Sequence, residues 1–170
     1  MATTYTLISS VTVGSGGAAN IEFTSIPATY TDLLLRVSVR QGGSQTHYIR
    51  FNNDTSTANY EQRRLTGDGS SASSDSSTSL GYINPIGVNA SSQTANTFGS
   101  LDMYIPNYAG SNFKSVSADS ANENNATAAI LCFTAALWKS TSAITSIKLT
   151  PAAPNYAQYS TAYLYGISNA

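Results

Sequence analysis

The clearest pattern along the chain lies between Asp32 and Arg40. Leu33, Leu35, Val37 and Val39 share one parity, and Leu34, Arg36, Ser38 and Arg40 share the other. A period of two with an apolar side and a mainly polar side predicts a strand of an antiparallel sheet packed on one face. Tyr5 to Val13 repeats the pattern through Leu7, Val11 and Val13, with Ile8 out of phase. Gly14-Ser15-Gly16-Gly17 predicts a turn, because glycine reaches positive φ freely. Ile21 and Phe23 then supply the return strand of a hairpin. Ile26-Pro27 ends that strand, since proline cannot donate to a ladder. After a Gly42-Gly43-Ser44 turn, His47 to Phe51 reads as another short strand. From Asn96 to Ile105, Leu101, Met103 and Ile105 alternate with Asp102 and Tyr104. Pro106 to Gly110 is a turn-forming connection. Phe113 to Asp119 follows with Val116 and Ala118 inward, and Asn122 to Asn125 marks a bend. Ile144 to Thr150 and Thr161 to Ile167 are the last strands, separated by a break over Pro151 to Pro154.

Three segments are less plain. Tyr60 to Leu65 fits either a strand or a single helical turn. Ala126 to Trp138 is the most apolar run; its alanines allow a helix, but Thr, Ile, Phe and Trp favour a strand buried on both faces. Gly67 to Ser79 has almost nothing to bury and cannot recover its ordering entropy by packing, so a mobile Ser-rich surface loop is expected over 67–79, with a loop that orders against a neighbouring subunit as the alternative. The sum is nine or ten short strands and hardly any helix. That spacing predicts a single all-β domain over residues 1–170, an antiparallel β-sandwich of jelly-roll kind. Leu35, Val37, Leu101, Met103, Ile130, Phe133 and Leu137 are the core candidates.

Charged residues make up 10% of the chain, against about a quarter in ordinary globular proteins. The polar surface is therefore built from Ser, Thr, Asn and Gln. Net charge is −1, with Lys and Arg scattered, so direct nucleic-acid binding, which rests on phosphate contacts, is not expected. No apolar run approaches the length of a membrane span. Met1 to Ser10 lacks a basic stretch followed by an apolar one, so no signal peptide is expected. A lone cysteine, Cys132, excludes an intrachain disulfide framework.

Candidate chemistry is thin. His47 is the only histidine, so a Ser-His-Asp triad would have to use it, and no G-x-S-x-G elbow accompanies it. Cys132, inside an apolar run, reads as a small buried hydrophobe. Glu22 with Asp32, or Asp102 with Asp119, could meet across strands as a carboxylate pair, as in any sandwich with this many acids. Asn52, Asn53 and Asp54, or Asp68 and Asp75, could offer oxygen ligands to calcium, but their spacing is that of ordinary turn formers. No catalytic residue, cofactor or metal is assigned, and the chain is not expected to be an enzyme. Tyrosine stands out instead: 11 residues against five Phe and one Trp. Tyr104, Tyr108, Tyr156, Tyr159, Tyr163 and Tyr165 cluster in the second half. Amphipathic rings of this kind are enriched at protein interfaces, which makes these six the interface candidates.

Three phrases carry a resemblance. They are Ser10-Val11-Thr12-Val13-Gly14-Ser15-Gly16-Gly17-Ala18 through Ile26-Pro27-Ala28-Thr29-Tyr30-Thr31-Asp32-Leu33-Leu34-Leu35, then Tyr104-Ile105-Pro106-Asn107-Tyr108-Ala109-Gly110, then Ser160-Thr161-Ala162-Tyr163-Leu164-Tyr165-Gly166-Ile167. As a set they resemble small virion structural proteins of tailed bacteriophages. The resemblance spans most of the chain outside the Ser-rich stretch and carries over no functional residues. It implies a particle component, first a capsid decoration (cement) protein that binds the outer shell and stabilises capsomer contacts. A tail or fibre module that binds a host surface glycan or receptor is the alternative. The implied partners are the major capsid protein and further copies of the chain, with a trimer as one closed arrangement. The implied location is the virion, assembled in the host cytoplasm and released by lysis.

Overall fold

The structure is a computed structural model that describes residues 4–43, 45–122, 129–152 and 154–168. Twelve strands form among them, and no helix. They are β1 (Tyr5–Thr12), β2 (Ile21–Phe23), β3 (Asp32–Gln41), β4 (His47–Phe51), β5 (Tyr60–Gly67), β6 (Ala72–Leu80), β7 (Asn89–Ala90), β8 (Gly99–Ile105), β9 (Lys114–Asn122), β10 (Ile130–Trp138), β11 (Ile147–Pro151) and β12 (Thr161–Ile167). They build an all-β sandwich of unequal layers. The larger sheet has nine strands in the order β1-β12-β3-β8-β9-β10-β5-β6, with β7 beside β3; the smaller has the order β2-β11-β4. Every named pairing is antiparallel except the short β3–β7 ladder.

The alternation read from the sequence decides which side chains meet between the layers. Leu33, Leu35, Val37 and Val39 on β3, Leu101, Met103 and Ile105 on β8, and Leu164 on β12 point inward. There they meet Ile21, Phe23, Ile49, Phe51, Ile147 and Leu149 of the small sheet, all within one core. Ile8 is out of phase because the β1–β12 register shifts between Leu7 and Ser9. That bulge turns Ile8 toward the core, and Val11 and Val13 resume the inward face on the opposite parity.

The layers are clamped by aromatics. Phe51, at the end of β4, meets Trp138 at 5.6 Å between centroids and Tyr60 at 6.3 Å, while Tyr60 and Trp138 stack at 6.5 Å. The Tyr60 hydroxyl accepts from the Phe51 N–H (3.0 Å) and donates to its carbonyl (3.3 Å). Trp138 Nε1 donates to Asp54 Oδ2 at 2.8 Å. The buried Lys114 ammonium stands 6.0 Å from the Trp138 ring and donates to the carbonyls of Gly110 and Asn112. A buried cation is tolerated here because its donors are satisfied.

Two expectations change and one open alternative is decided. Gly67 to Ser79 is not a loop: after a tight turn at Asp68 the chain pairs along β5 as the edge strand β6. Its backbone ladder supplies the order its side chains could not. The run from Ala126 to Trp138, of which 126–128 lie outside the described residues, contains strand β10, but only one face of that strand is buried. Cys132, Thr134, Ala136 and Trp138 point inward. Ile130 and Leu137 are therefore only partly buried, and Phe133 is 53% exposed, so these three are not core residues. Tyr60 to Leu65 is strand, locked to Trp138 and its neighbours by register.

Met103 and Phe133 test this assignment. Met103→Ala should lower the unfolding free energy by about 2–5 kcal/mol, whereas Phe133→Ala should stay within about 1 kcal/mol, both read by denaturant titration. Gly99→Ala should be costly too, because a Cβ there would lie 2.1 Å from the Gly87 carbonyl oxygen.

Candidate interaction surface

The outward face of the large sheet is the feature that chemistry has to explain. Its registers define rows of side chains that cross eight strands. One row runs Leu7, Tyr165, Leu34, Tyr104, Ser117, Ala135, Arg63 and Ser76. The next runs Ser10, Tyr163, Arg36, Asp102, Asp119, Phe133, Leu65 and Ser74. Two apolar ends result, separated by a polar middle. At one end stand Tyr5 (54% exposed), Leu7 (52%) and Tyr104 (40%), with half-buried Leu34, Tyr163 and Tyr165. At the other stand Leu65 (55%), Phe133 (53%) and Leu131 (48%). Contiguous exposed apolar groups on one face mark contact surfaces more often than isolated ones do.

The middle is ordered by charge. Arg36 grips Asp102 with two bonds, Nε at 2.8 Å and Nη2 at 2.5 Å. Asp102 faces Asp119 directly across the β8–β9 ladder. Of the two carboxylate pairs expected from sequence, this one is therefore brought together, with Asp102 already neutralised by Arg36. Glu22 and Asp32 are not: Glu22 sits on the small sheet beside Lys148 and Asn53. Asp32 accepts from the Tyr104 hydroxyl (2.7 Å) and the Asn107 N–H (2.8 Å), which ties the Pro106 turn to β3.

Among the six tyrosines expected at an interface, the structure separates two groups. Tyr108 and Tyr156 are fully buried; the Tyr108 hydroxyl donates to the Pro27 carbonyl, and both rings belong to the core. They cannot reach a partner. Tyr104, Tyr163 and Tyr165 lie on the outward face, and Tyr159 (68% exposed) sits in the turn before β12 at φ 69°. Tyr5, Leu7 and the Phe133 group were not among the sequence candidates. Phe133 and Leu131 sit in the run read as buried on both faces, so their outward placement becomes visible only from the register.

The remaining candidates are structural. His47 is buried with Nδ1 3.4 Å from the Tyr156 hydroxyl, and its Nε2 has no hydrogen-bond partner among the described residues. Burial pushes its pKa down to about 4. Cys132 Sγ is buried between the hydroxyls of Thr66 and Thr134, each at 3.6 Å. Asn52 spends its side chain on the backbone of Ala143, Thr145 and Ser146. Burial disfavours ionised Asp54, but hydrogen bonds from Asn59, Trp138 and Ser56 outweigh it and hold the carboxyl below its usual range. Asp68 accepts from the N–H groups of Ser71 and Ser70, which lowers its pKa to about 2. Asp75 pairs with Arg64 at 3.0 Å. Among the described residues no three His, Cys, Asp or Glu side chains gather as a metal site. No protein-family model matches the chain, and no curated protein is significantly similar to it.

His47 makes a pH prediction. Its folded pKa, about 4, lies below the ordinary value near 6.5, so the unfolded chain binds the extra proton first. His47 leaves stability unchanged above about pH 6.5 and lowers it as pH drops toward 4, by about 3 kcal/mol. Chemical denaturation at both pH values should show this loss in the wild type and a much smaller one in His47→Gln. Equal slopes would contradict it.

Proposed function

We propose that this chain is a structural component of a tailed-phage particle, a capsid decoration protein that lies on the outer shell and stabilises contacts between capsomers. The observation that carries this reading is the tyrosine end of the outward face. There Tyr5, Leu34, Tyr104, Tyr163 and Tyr165 present rings and aliphatic surface around the Arg36–Asp102 pair. Such a surface suits protein contact: aromatic groups supply area at little entropic cost, and a bidentate ion pair supplies oriented polarity. A near-neutral chain also lets many copies crowd on one shell without mutual repulsion. Weak single contacts then add up through multivalency. The β phrases that resemble phage virion proteins point the same way.

A second reading rests on one further observation. Tyr5, Leu34, Arg36 and Tyr165 line a hollow of about 280 Å³, a size and chemistry that would accept a sugar ring, as a tail or fibre module binding a host glycan requires. A glycan array separates the two readings.

Capsids stripped of the protein and mixed with it should show density at repeated shell positions by cryo-electron microscopy. The Tyr5→Ser, Tyr165→Ser double variant should bind about 100-fold more weakly while keeping its thermal stability. Density confined to the tail, or binding that ignores the double substitution, would contradict the decoration reading.

A further inference from the structure

The opposite end of the same face carries its own argument. Phe133 and Leu65 are register partners on β10 and β5, and Leu131 lies one outward position further along β10. All three are about half exposed. Beside this ridge the face drops, because the neighbouring outward positions hold small residues: Ala135 on β10 and Ser117 on β9. The resulting hollow, about 480 Å³, is lined by Arg63, Leu65, Ser117, Asp119, Phe133 and Ala135 among others. Arg64 in its lining is held by Asp75; its other two charges have opposite sign and stand at opposite corners. Arg63 and Asp119 are both exposed, and neither side chain makes a close ion pair or hydrogen bond among the described residues.

A ridge beside a hollow, flanked by one cation and one anion that form no close ion pair of their own, is self-complementary. We propose that this half of the face pairs with the same half of a second copy about a two-fold axis. Ideal sheet spacing gives the geometry. Asp119 and Arg63 lie two strands apart, roughly 10 Å, and two residues apart along the strands, roughly 7 Å, with Thr134 midway. A two-fold axis between the sheets, passing over Thr134 and perpendicular to the Asp119–Arg63 line, sets each Asp119 against the partner's Arg63. The same rotation sets each Phe133 ring over the edge of the partner's hollow, against its Leu65 and Phe133. The two sheets then cross at roughly 70°, nearer the orthogonal than the aligned packing class. At that angle the tyrosine ends project sideways and stay uncovered.

The area suits a weak, reversible pairing. Four strands (β9, β10, β5 and β6) by four outward rows span roughly 500 Å² per copy on ideal spacing, and crossing at that angle overlays roughly 400 Å² of it, so a pair buries about 800 Å². The pairing is isologous, as the commonest dimers are. The polar, singly charged strand β6 at its rim adds no like-charge penalty, since Asp75 is already held by Arg64.

Sedimentation velocity of the full chain, from roughly 1 µM to 1 mM, reads the pairing directly. The wild type should pass from monomer to dimer over that range. Phe133→Ser, Arg63→Asp and Asp119→Arg should each weaken the dimer about tenfold or more. All three positions are exposed, so the variants keep the wild-type melting temperature. The doubly exchanged variant, Arg63→Asp with Asp119→Arg, should recover the dimer, because the two-fold axis restores the opposite-charge contact. A wild type monomeric throughout, a trimer, or a charge exchange without rescue would overturn the proposal. Loss of shell binding with dimerisation intact would instead count against the decoration reading alone.

Discussion

The contact among Phe51, Tyr60 and Trp138 sets the side of every residue on three strands. It joins the small sheet to β5 and β10, and the Tyr60 hydroxyl fastens it to the Phe51 backbone. Side chains alternate along a strand, so once Trp138 points inward, Ala136, Thr134 and Cys132 must follow. Leu131, Phe133 and Leu137 are then forced outward whatever their hydrophobicity. The β10 register carries the same choice to Leu65 and Arg63 on β5 and to Asp119 on β9. One aromatic clamp inside thus decides what the molecule shows outside.

What it shows is an eight-strand face with a polar belt and two apolar ends. Arg36 and Asp102 bond each other in that belt, while Asp119 attracts Arg36 only at longer range and forms no close ion pair. The tyrosine end and the Phe133 end differ in kind. The first is amphipathic, with hydroxyls that can adapt to a foreign surface. The second is aliphatic and aromatic, shaped in relief, and flanked by opposite charges, which suits a partner of identical shape. If copies pair through the second surface, the pair would present two tyrosine ends at once, an arrangement that multiplies weak affinities.

Much of the fold was legible because the inner-facing residues of β3 and β8 alternate without interruption. The β10 assignment failed for a physical reason. Its outward residues, Leu131, Phe133 and Leu137, are as hydrophobic as its inward ones, Cys132, Thr134 and Trp138, so period-two patterning cannot tell one face from the other. Only Trp138, through partners distant in sequence, breaks that tie. β6 failed for the opposite reason. Ala72 to Leu80 has little to bury, yet β5 offers it an open ladder, and backbone hydrogen bonds do not depend on side-chain hydrophobicity. Of the tyrosines, Tyr108 and Tyr156 share composition and neighbourhood with the exposed ones. The turn geometry that turns them into the core, including Asn107 at φ 48°, is not encoded in any local alternation.

Hydroxyl-radical footprinting of dilute protein reads the parity of β10 most directly. Phe133, Leu131 and Leu65 should oxidise readily while Trp138, intrinsically the more reactive group, stays protected. Labelled Trp138 with a protected Phe133 would mean that β10 faces the other way, and the outward surface described here would not exist.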